Sequence, residues 1–257
     1  MFNILFIGAS KFGLNCLNTI SELENIHISG VISNNETFSI SYNKSGVKNV
    51  LYADFESFSA QNNIPFYRMK SSMQEKELYE FITLCKPNLI VVVGWYHLIP
   101  KSLLNEFKFC GLHASLLPDY SGGAPLVWAI INGETETGLT FFMFDEGVDS
   151  GDIIGQEKTE ITPDDTIKTL YDKIELLGFK LLEKYLPKFA DGSVVMIEQD
   201  ETKRRVFPQR KPEDGLIDWT WDNKRIKDFI RAQTKPYPGA FTYIEGKKVM
   251  IWDADII

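Results

Sequence analysis

The chain opens on Phe2-Asn-Ile-Leu-Phe-Ile-Gly8, a short apolar run closed by glycine. A run of that length without polar alternation predicts a strand buried on both faces of a parallel sheet. After Ala9-Ser-Lys-Phe-Gly13 the apolar positions recur at helical spacing, predicting a helix over 11–24, and Ile28–Ile32 then completes a βαβ unit. Pro87–Val93 is the clearest strand: it is rich in valine and stops at Gly94. Further strands are expected at Phe109–Leu112, Gly138–Phe144 and Ile153–Thr162, the last two side by side. Helices are expected over 72–85, 123–132 and 165–186. The last begins at Thr162-Pro-Asp-Asp-Thr, which supplies a cap and first-turn acids, and carries Leu170, Ile174, Leu177 and Leu181 on one face.

Near residue 200 the pattern changes. Residues 201–214 are charged and hold two prolines, a texture that suits a connecting segment. A short helix follows over 223–233. Phe241–Ile244 and Lys248–Trp252 flank Glu245-Gly246, a tight-turn pair, so a β-hairpin is expected there. Its apolar side is read as Phe241, Tyr243, Val249 and Ile251, a surface for its own module or for a homodimer contact. The fold class is thus α/β: a Rossmann-like, mostly parallel sheet with helices on both faces, plus a small C-terminal module containing a β-hairpin. The expected division is 1–200 and 201–257.

Composition narrows the class. Of the 257 residues, 44% are hydrophobic and 24% charged, which fits a packed globular protein and not a disordered one. The formal net charge of −8 argues against a general nucleic-acid binder. Cys16, Cys85 and Cys110 are odd in number and lack metal-type spacing, so neither a disulfide framework nor a zinc site is expected. Buried, reduced thiols and a cytoplasmic location are expected instead. The apolar run Met1–Ile7 is too short for a secretory leader, and no apolar stretch approaches a membrane span. No membrane partner and no metal are expected.

Gly8-Ala-Ser-Lys-Phe-Gly13 spaces its glycines as G-x-x-x-x-G and lacks a following Lys-Ser/Thr, so it is neither a dinucleotide fingerprint nor a P-loop. Two readings stand: a plain strand-to-helix turn, or amides and Lys11 gathered near a substrate phosphate.

The densest chemistry lies between Cys110 and Asp152. It runs Cys-Gly-Leu-His113-Ala-Ser115-Leu-Leu-Pro118-Asp-Tyr120-Ser-Gly-Gly-Ala-Pro125, then Trp128-Ala-Ile-Ile-Asn-Gly-Glu134, then Gly138-Leu-Thr140, then Asp145-Glu-Gly-Val-Asp149-Ser-Gly-Asp152. His113 follows a short buried strand, and in open α/β sheets ligands bind beyond the carboxyl ends of strands. A histidine with a carboxylate nearby makes a proton-transfer pair, because the carboxylate fixes the imidazole tautomer and favours its charged form. Taken from spacing alone, a lone histidine such as His113 is more often a satisfied structural group, and the acidic loop reads as a solvated turn or a loose cation site. That loop lacks the glutamate that closes an EF-hand.

This block resembles the signature of the folate-dependent formyltransferases, and its sugar N-formyltransferase branch most closely. The family pattern is Asn-x-His, Ser-Leu-Leu-Pro, a Gly-Ala/x-Pro turn, Gly-x-Thr and Asp-x-Gly-x-Asp-x-Gly-Asp. Val91-Val-Val-Gly-Trp-Tyr-His-Leu-Ile-Pro100 resembles the family's strand and folate loop, and Ile217-Asp-Trp219 with Pro236–Phe241 its C-terminal connection. The likeness covers most of the chain. It implies that an amine attacks the formyl carbon of 10-formyltetrahydrofolate, bound as a co-substrate, with no metal. It implies His113 and Asp149 as the catalytic residues. Gly94, Trp95, Tyr96, His97, Phe144, Asp145 and Glu146 would hold the pterin, largely through backbone groups.

At the position of the family's asparagine, two residues before the histidine, this chain has Gly111. Another donor must then face the oxyanion (a backbone N–H, a water or His97), or the enzyme is slow, or the chain binds folate or nucleotide sugar without turnover. The likeness of Phe207–Gly215 and Ile217–Trp219 to sugar N-formyltransferases implies a nucleotide-linked amino sugar, a 4-amino-4,6-dideoxyhexose for surface polysaccharide, as the acceptor. The brevity of the segment after 200 and its 12 Lys+Arg against 9 Asp+Glu point away from nucleic acid, with methionyl-tRNA as the alternative acceptor. Arg210 and Lys211 are candidates for the diphosphate, Tyr120 and Ser121 for the sugar, and Phe207 for stacking on the base. Each of these residues has an equally simple reading as packing or as an ordinary charged linker.

Overall fold

The computed structural model describes residues 1–40 and 43–257. The chain begins β1 (Phe2–Gly8), α1 (Lys11–Ser21), β2 (Ile26–Ser33), β3 (Thr37–Ile40), β4 (Asn43–Lys48), α2 (Phe55–Gln61), β5 (Phe66–Arg68) and α3 (Lys76–Cys85). It continues β6 (Leu89–Val93), α4 (Lys101–Leu104), β7 (Phe109–His113), β8 (Ser121–Gly122), α5 (Pro125–Ile131), β9 (Glu136–Met143) and β10 (Ile153–Glu160). The remaining elements are α6 (Ile167–Ala190), β11 (Val206–Phe207), α7 (Asn223–Arg231), β12 (Ala240–Ile244) and β13 (Lys247–Ile251).

Seven strands form one sheet in the order β10-β9-β7-β6-β1-β2-β5. β1 pairs in parallel with both β2 and β6, β2 with β5, and β6 with β7. The apolar runs explain the centre: Leu89–Val93 is buried throughout, as is Ile4–Gly8. Alternate side chains of β1 face opposite ways. Leu5 and Ile7 pack with Leu78 and Ile82 of α3, while Phe6 stacks on Phe55 of α2 with ring centroids 6.0 Å apart. Helices thus cover both faces. Because β1 lies between β2 and β6, the chain leaves β1 on one side and returns on the other. That reversal makes the loops after β1 and β6 diverge at their carboxyl ends, where open α/β sheets bind ligands.

The strands and long helices expected from periodicity are present, with ends shifted by a few residues. Short elements were not foreseen: α2, α4, β5, β8, β11 and the β3–β4 hairpin. Each is too short to show a period, and α2 is signalled only by Asp54, whose side chain caps it at the Ser57 amide.

The residues form two compact units, neither of them continuous. One comprises Met1–Leu112, Phe141–Gly155 and Gly178–Glu198; the other His113–Thr140, Gln156–Leu177 and Gln199–Ile257. The division expected near residue 200 therefore differs from the packing. Charge and proline mark exposed chain, and the exposed stretch pairs Val206 and Phe207 with Ser121 and Gly122 within the second unit.

The hairpin forms with Glu245 and Gly246 both at positive φ, 49° and 76°, the geometry of a two-residue primed turn. Its register corrects the expected apolar face. Phe241 opposes Met250 and Tyr243 opposes Lys248, while Ala240 opposes Ile251 and Thr242 opposes Val249. Opposed residues share a side, so Phe241 and Tyr243 lie on one face and Val249 and Ile251 on the other.

Helix α6 starts from a buried carboxylate. Asp165 accepts from the Thr162 amide at 2.7 Å, from Thr169 Oγ1 at 2.9 Å and from Lys173 Nζ at 2.6 Å. Burial alone raises this carboxyl, but the hydrogen bonds from Lys173, Thr162 and Thr169 outweigh it and hold it at about 2, against an ordinary 3.8. A carboxyl depressed in the folded state stabilises the fold above its unfolded value and loses that contribution as pH falls through the folded one. Thermal unfolding is expected to drop steeply between about pH 4 and 2 in the parent, and Asp165→Asn to start lower at neutral pH with a flatter slope there. Equal slopes for the two proteins would remove Asp165 from the acid response.

Candidate active site

The first glycine turn resolves in favour of packing. An added Cβ at Gly8 or Gly13 would stand 2.8 or 2.6 Å from the Val93 carbonyl oxygen, so these glycines let α1 close on the end of β6. The amides are already engaged: Ala9 N–H donates to Gly94 O, Lys11 N–H to Leu51 O at 2.7 Å, and Gly13 N–H to the cap Ser10 Oγ. The Lys11 side chain is exposed at this turn.

Past β6, Gly94 adopts φ +63° and approaches Ser10 so closely that a Cβ would overlap the hydroxyl. Trp95 then packs against the apolar cluster of Leu5, Ile7, Ile90 and Val92, as does Phe144. Two of the residues expected at the pterin site therefore wall one apolar region of the first unit. Tyr96 donates its hydroxyl to Asn49 Oδ1 at 3.1 Å. The His97 ring stands 5.2 Å from Trp95 and 5.4 Å from Phe38, with Nε2 3.5 Å from the Asn34 amide nitrogen. Burial lowers its pKa, which favours the neutral ring. Asn34 follows β2, three strands from β7 in the sheet, about 14 Å at the usual strand spacing. His97 is thus turned away from Gly111, against the idea that it replaces the missing asparagine.

Gly111 itself is closely enclosed. A Cβ there would lie 2.6 Å from Phe144 Cζ and 2.7 Å from Val92 O. The ring of Phe144 and the neighbouring strand fill the space that a side chain would need. Phe144 is fixed in turn by its amide, which donates to Phe109 O at 2.9 Å.

The acidic loop after β9 is closed at its base by Met143 N–H on Asp152 O, 2.8 Å. Asp145 Oδ1 accepts from Gly147 N at 3.0 Å and Ser150 Oγ at 2.6 Å. Asp149 takes φ +54°, an uncommon conformation for a residue with a side chain. Glu146 pairs with Lys101 of α4 at 2.5 Å, tying this loop to the segment after β6.

His113 ends β7 and is half-buried. Its Nε2 lies 2.8 Å from the Tyr120 carbonyl oxygen. A carbonyl only accepts, so Nε2 carries the proton and in the neutral ring Nδ1 is the basic nitrogen. The loop presenting that carbonyl is held by Thr140, the threonine of the Gly-x-Thr motif. Its hydroxyl donates to Ser115 O at 2.6 Å and accepts from the Leu117 amide at 3.1 Å. Ser115 Oγ donates to Asp119 O and Ser121 Oγ to Pro118 O.

The residues proposed for the sugar and base fall differently. Tyr120 stacks on Phe207 with centroids 4.4 Å apart and planes 5° from parallel. Its hydroxyl donates to Glu134 at 2.7 Å and accepts from Asn132, while Arg205 covers its ring and pairs with Asp119 through two 2.6 Å bonds. Burial, and then Glu134, push the phenol up to about 12. Ser121 is fully buried and accepts from Arg204 as well. Tyr120, Ser121 and Phe207 therefore build the protein here and their faces are occupied, a correction to the substrate-contact reading. Arg205, Glu134, Asn132 and Trp128 complete this layer. Trp128, Asn132 and Glu134 belong to the Trp128–Glu134 stretch of the motif block, on and just after α5, and the β8–β11 pairing brings Arg205 to them. Arg210 lies over Trp128 at 4.8 Å and Phe229 at 5.5 Å, and donates to Asp214 O and Gln233 Oε1, both from Nη2. Burial lowers its pKa. Lys211 is exposed, and its amide donates to Asp214.

Among the described residues no group of three His, Cys, Asp or Glu is placed to hold a metal, and no helix is long and apolar enough to cross a membrane. The three cysteines are buried, and burial pushes the Cys85 thiol up to about 11.

The parallel sheet with helices on both faces defines a Rossmann-like α/β protein. The chain belongs to the formyl transferase family: the family model for formyl transferase matches residues 2–186 and that for its C-terminal domain residues 210–257. It is 43% identical over 178 residues to the methionyl-tRNA formyltransferase of Geotalea uraniireducens, covering 68% of this chain and 56% of that protein. The chain thus spans little more than half of the length of that relative. To the methionyl-tRNA formyltransferase of Caldanaerobacter subterraneus it is 32% identical over 256 residues, covering 99% of this chain and 81% of the relative. Among solved structures it resembles a 4-N formyltransferase from Francisella tularensis, with a TM-score of 0.76 and 22% identity over 100% of this chain and 99% of that one. It also resembles the Helicobacter canadensis N-formyltransferase in complex with folinic acid and dTDP-3-aminofucose, with a TM-score of 0.68 and 19% identity over 97% and 86%. At those identities the structural likenesses establish the fold.

Proposed function

We propose that this chain transfers the formyl group of 10-formyltetrahydrofolate to the amine of a nucleotide-linked amino sugar. The amine attacks the formyl carbon, a tetrahedral oxyanion forms, and its collapse breaks the bond to N10 and releases tetrahydrofolate. His113 takes up the amine proton, Asp149 helps to move it, and the proton passes to the leaving nitrogen. Trp95 and Phe144 flank the pterin, with backbone groups of 95–97 and 144–146 reading its polar edge. Because no side chain fits at Gly111, a backbone N–H or an ordered water stabilises the oxyanion, and water bridges polar groups nearly as well as a direct contact.

The observation that carries the acceptor is the charge of residues 201–257. Their excess of Lys+Arg is small, and many of those cations are already paired. Lys203 meets Asp200, Arg204 meets Glu201, Arg205 meets Asp119 and Glu134, Lys224 and Arg231 meet Asp228, and Lys227 meets Asp255. A tRNA surface needs many cations directed at phosphates. A diphosphate needs one or two. Arg210 suits that role, since Nε and Nη1 make no hydrogen bond among the described residues, and exposed Lys211 is beside it. Methionyl-tRNA is the second reading, favoured by the 43% identity to a methionyl-tRNA formyltransferase.

The test offers 10-formyltetrahydrofolate with a panel of nucleotide-linked 4-amino sugars and, in parallel, methionyl-tRNA, reading the formyl adduct by mass. Formylation of one sugar, weakened severalfold or more in KM by Arg210→Ala, is the expected result. Transfer to tRNA alone, falling steeply with salt, establishes the second reading. Folate binding with no adduct on any acceptor identifies a binding protein without turnover.

A further inference from the structure

Asp149 lies in a loop that one exposed carboxylate, Asp145, helps to fold. The loop doubles back sharply: a Cβ at Gly147 would overlap Ser150 Oγ, and one at Gly151 would overlap Met143 O. The hydrogen bonds from Gly147 N and Ser150 Oγ to Asp145 Oδ1 hold the chain on both sides of Asp149. Between those two points Asp149 sits at φ +54°, a backbone state that a non-glycine residue leaves when its surroundings stop enforcing it. Ser150 carries the second bond through its hydroxyl and is the next residue in the chain, so its fixation sets the direction of the Asp149 peptide.

We propose that Asp145 is a positioning residue, which by accepting those two bonds holds Asp149 in its left-handed conformation and so in its working orientation. The proposal rests on the reading that Asp149 serves formyl transfer. What the loop requires of Asp145 is an oxygen acceptor at the Oδ1 position; its negative charge is incidental. Asparagine keeps that acceptor and alanine removes it, so the two substitutions separate geometry from charge.

The experiment compares Asp145→Asn, Asp145→Ala and Ser150→Ala with the parent protein by two independent readouts. One is amide hydrogen exchange over residues 146–151. The other is steady-state transfer to the acceptor that the parent formylates, with Asp149→Asn as the reference for loss of the catalytic carboxylate. Asp145→Ala is expected to speed exchange in the loop and to lower kcat by about 10- to 100-fold, as a shift of about 1 Å in a reacting group does, with KM for the formyl donor changed by no more than about threefold. Asp145→Asn should keep the parent exchange rates within about twofold and lose less kcat than Asp145→Ala, and Ser150→Ala should fall between. Unchanged exchange in Asp145→Ala overturns the proposal, as does faster exchange with full kcat. Asp145→Asn as impaired as Asp145→Ala also overturns it, because charge would then be the requirement. Should the parent transfer formyl to no acceptor, the functional reading fails by itself, and the exchange rates alone decide whether Asp145 sets the loop.

Discussion

His113→Ala is expected to lower kcat by roughly 10³-fold while leaving KM for both substrates within a few fold, the range in which positioned acid–base groups act. The reason is that the imidazole contributes when charge develops, and the ground-state complex needs it little. With Nε2–H donated to the Tyr120 carbonyl, the ring cannot turn freely and its tautomer is set. Removing the ring also deprives that carbonyl of its donor, so a stability loss of about 1–2 kcal/mol accompanies the kinetic effect. Thermal unfolding measured alongside the kinetics separates the two. Asp149→Asn should show the same pattern of kcat loss, and the double variant should be little worse than either single one, since residues acting as a unit are far from additive. A His113→Ala protein that retains a tenth of the parent kcat would remove His113 from the mechanism.

The second large effect concerns Gly111. If the missing asparagine were merely a lost donor, Gly111→Asn would restore it and raise the rate. The packing predicts the reverse. The new Cβ would meet Phe144 at 2.6 Å and the Val92 carbonyl oxygen at 2.7 Å, distances that ordinary Cβ contacts do not reach. The ring can be displaced, but the carbonyl belongs to the adjoining strand in a paired register, Val92 opposite Gly111. Forcing extra atoms into a packed region costs about 1–3 kcal/mol. For a chain of this size each kcal/mol lowers Tm by about 2–4 °C, so a fall of roughly 2–12 °C is expected, with lower kcat. Adding Phe144→Ala should recover part of the stability and none of the rate, because the carbonyl remains and the ring proposed to flank the pterin is gone. An unchanged Tm with a raised kcat in Gly111→Asn would show that the strand end has room and that the donor had simply been lost.

These two positions show how unevenly the site can be read from residues in order. His113, Thr140 and Asp149 lie in one stretch of chain with recognisable spacing, and Thr140 proves to hold the turn that follows His113. Gly111 was visible as a departure, but its cause is Phe144, which lies 33 residues further on and touches it only because β9 returns beside β7. The carbonyl that fixes the histidine tautomer belongs to Tyr120, and no sequence pattern announces which way a carbonyl points.

The same contrast holds across the fold. Long periods of hydrophobic burial persist whatever the neighbours, so Leu89–Val93 announced a buried strand and Leu170, Ile174, Leu177 and Leu181 a buried helix face. Register does not follow from composition. The apolar residues of the C-terminal hairpin were countable, yet their division between its two faces waited on which residue opposes which. Tyr120 and Phe207 look like exposed aromatic contacts one at a time. Pairing of Ser121 with Val206 brings them face to face and covers them with Arg205. Local chemistry along the chain thus suffices for the long strands and helices and for naming candidate reactive residues. Which side chains remain available to a substrate is decided by contacts between residues far apart in the chain, since burial and pairing of a group depend on what packs against it.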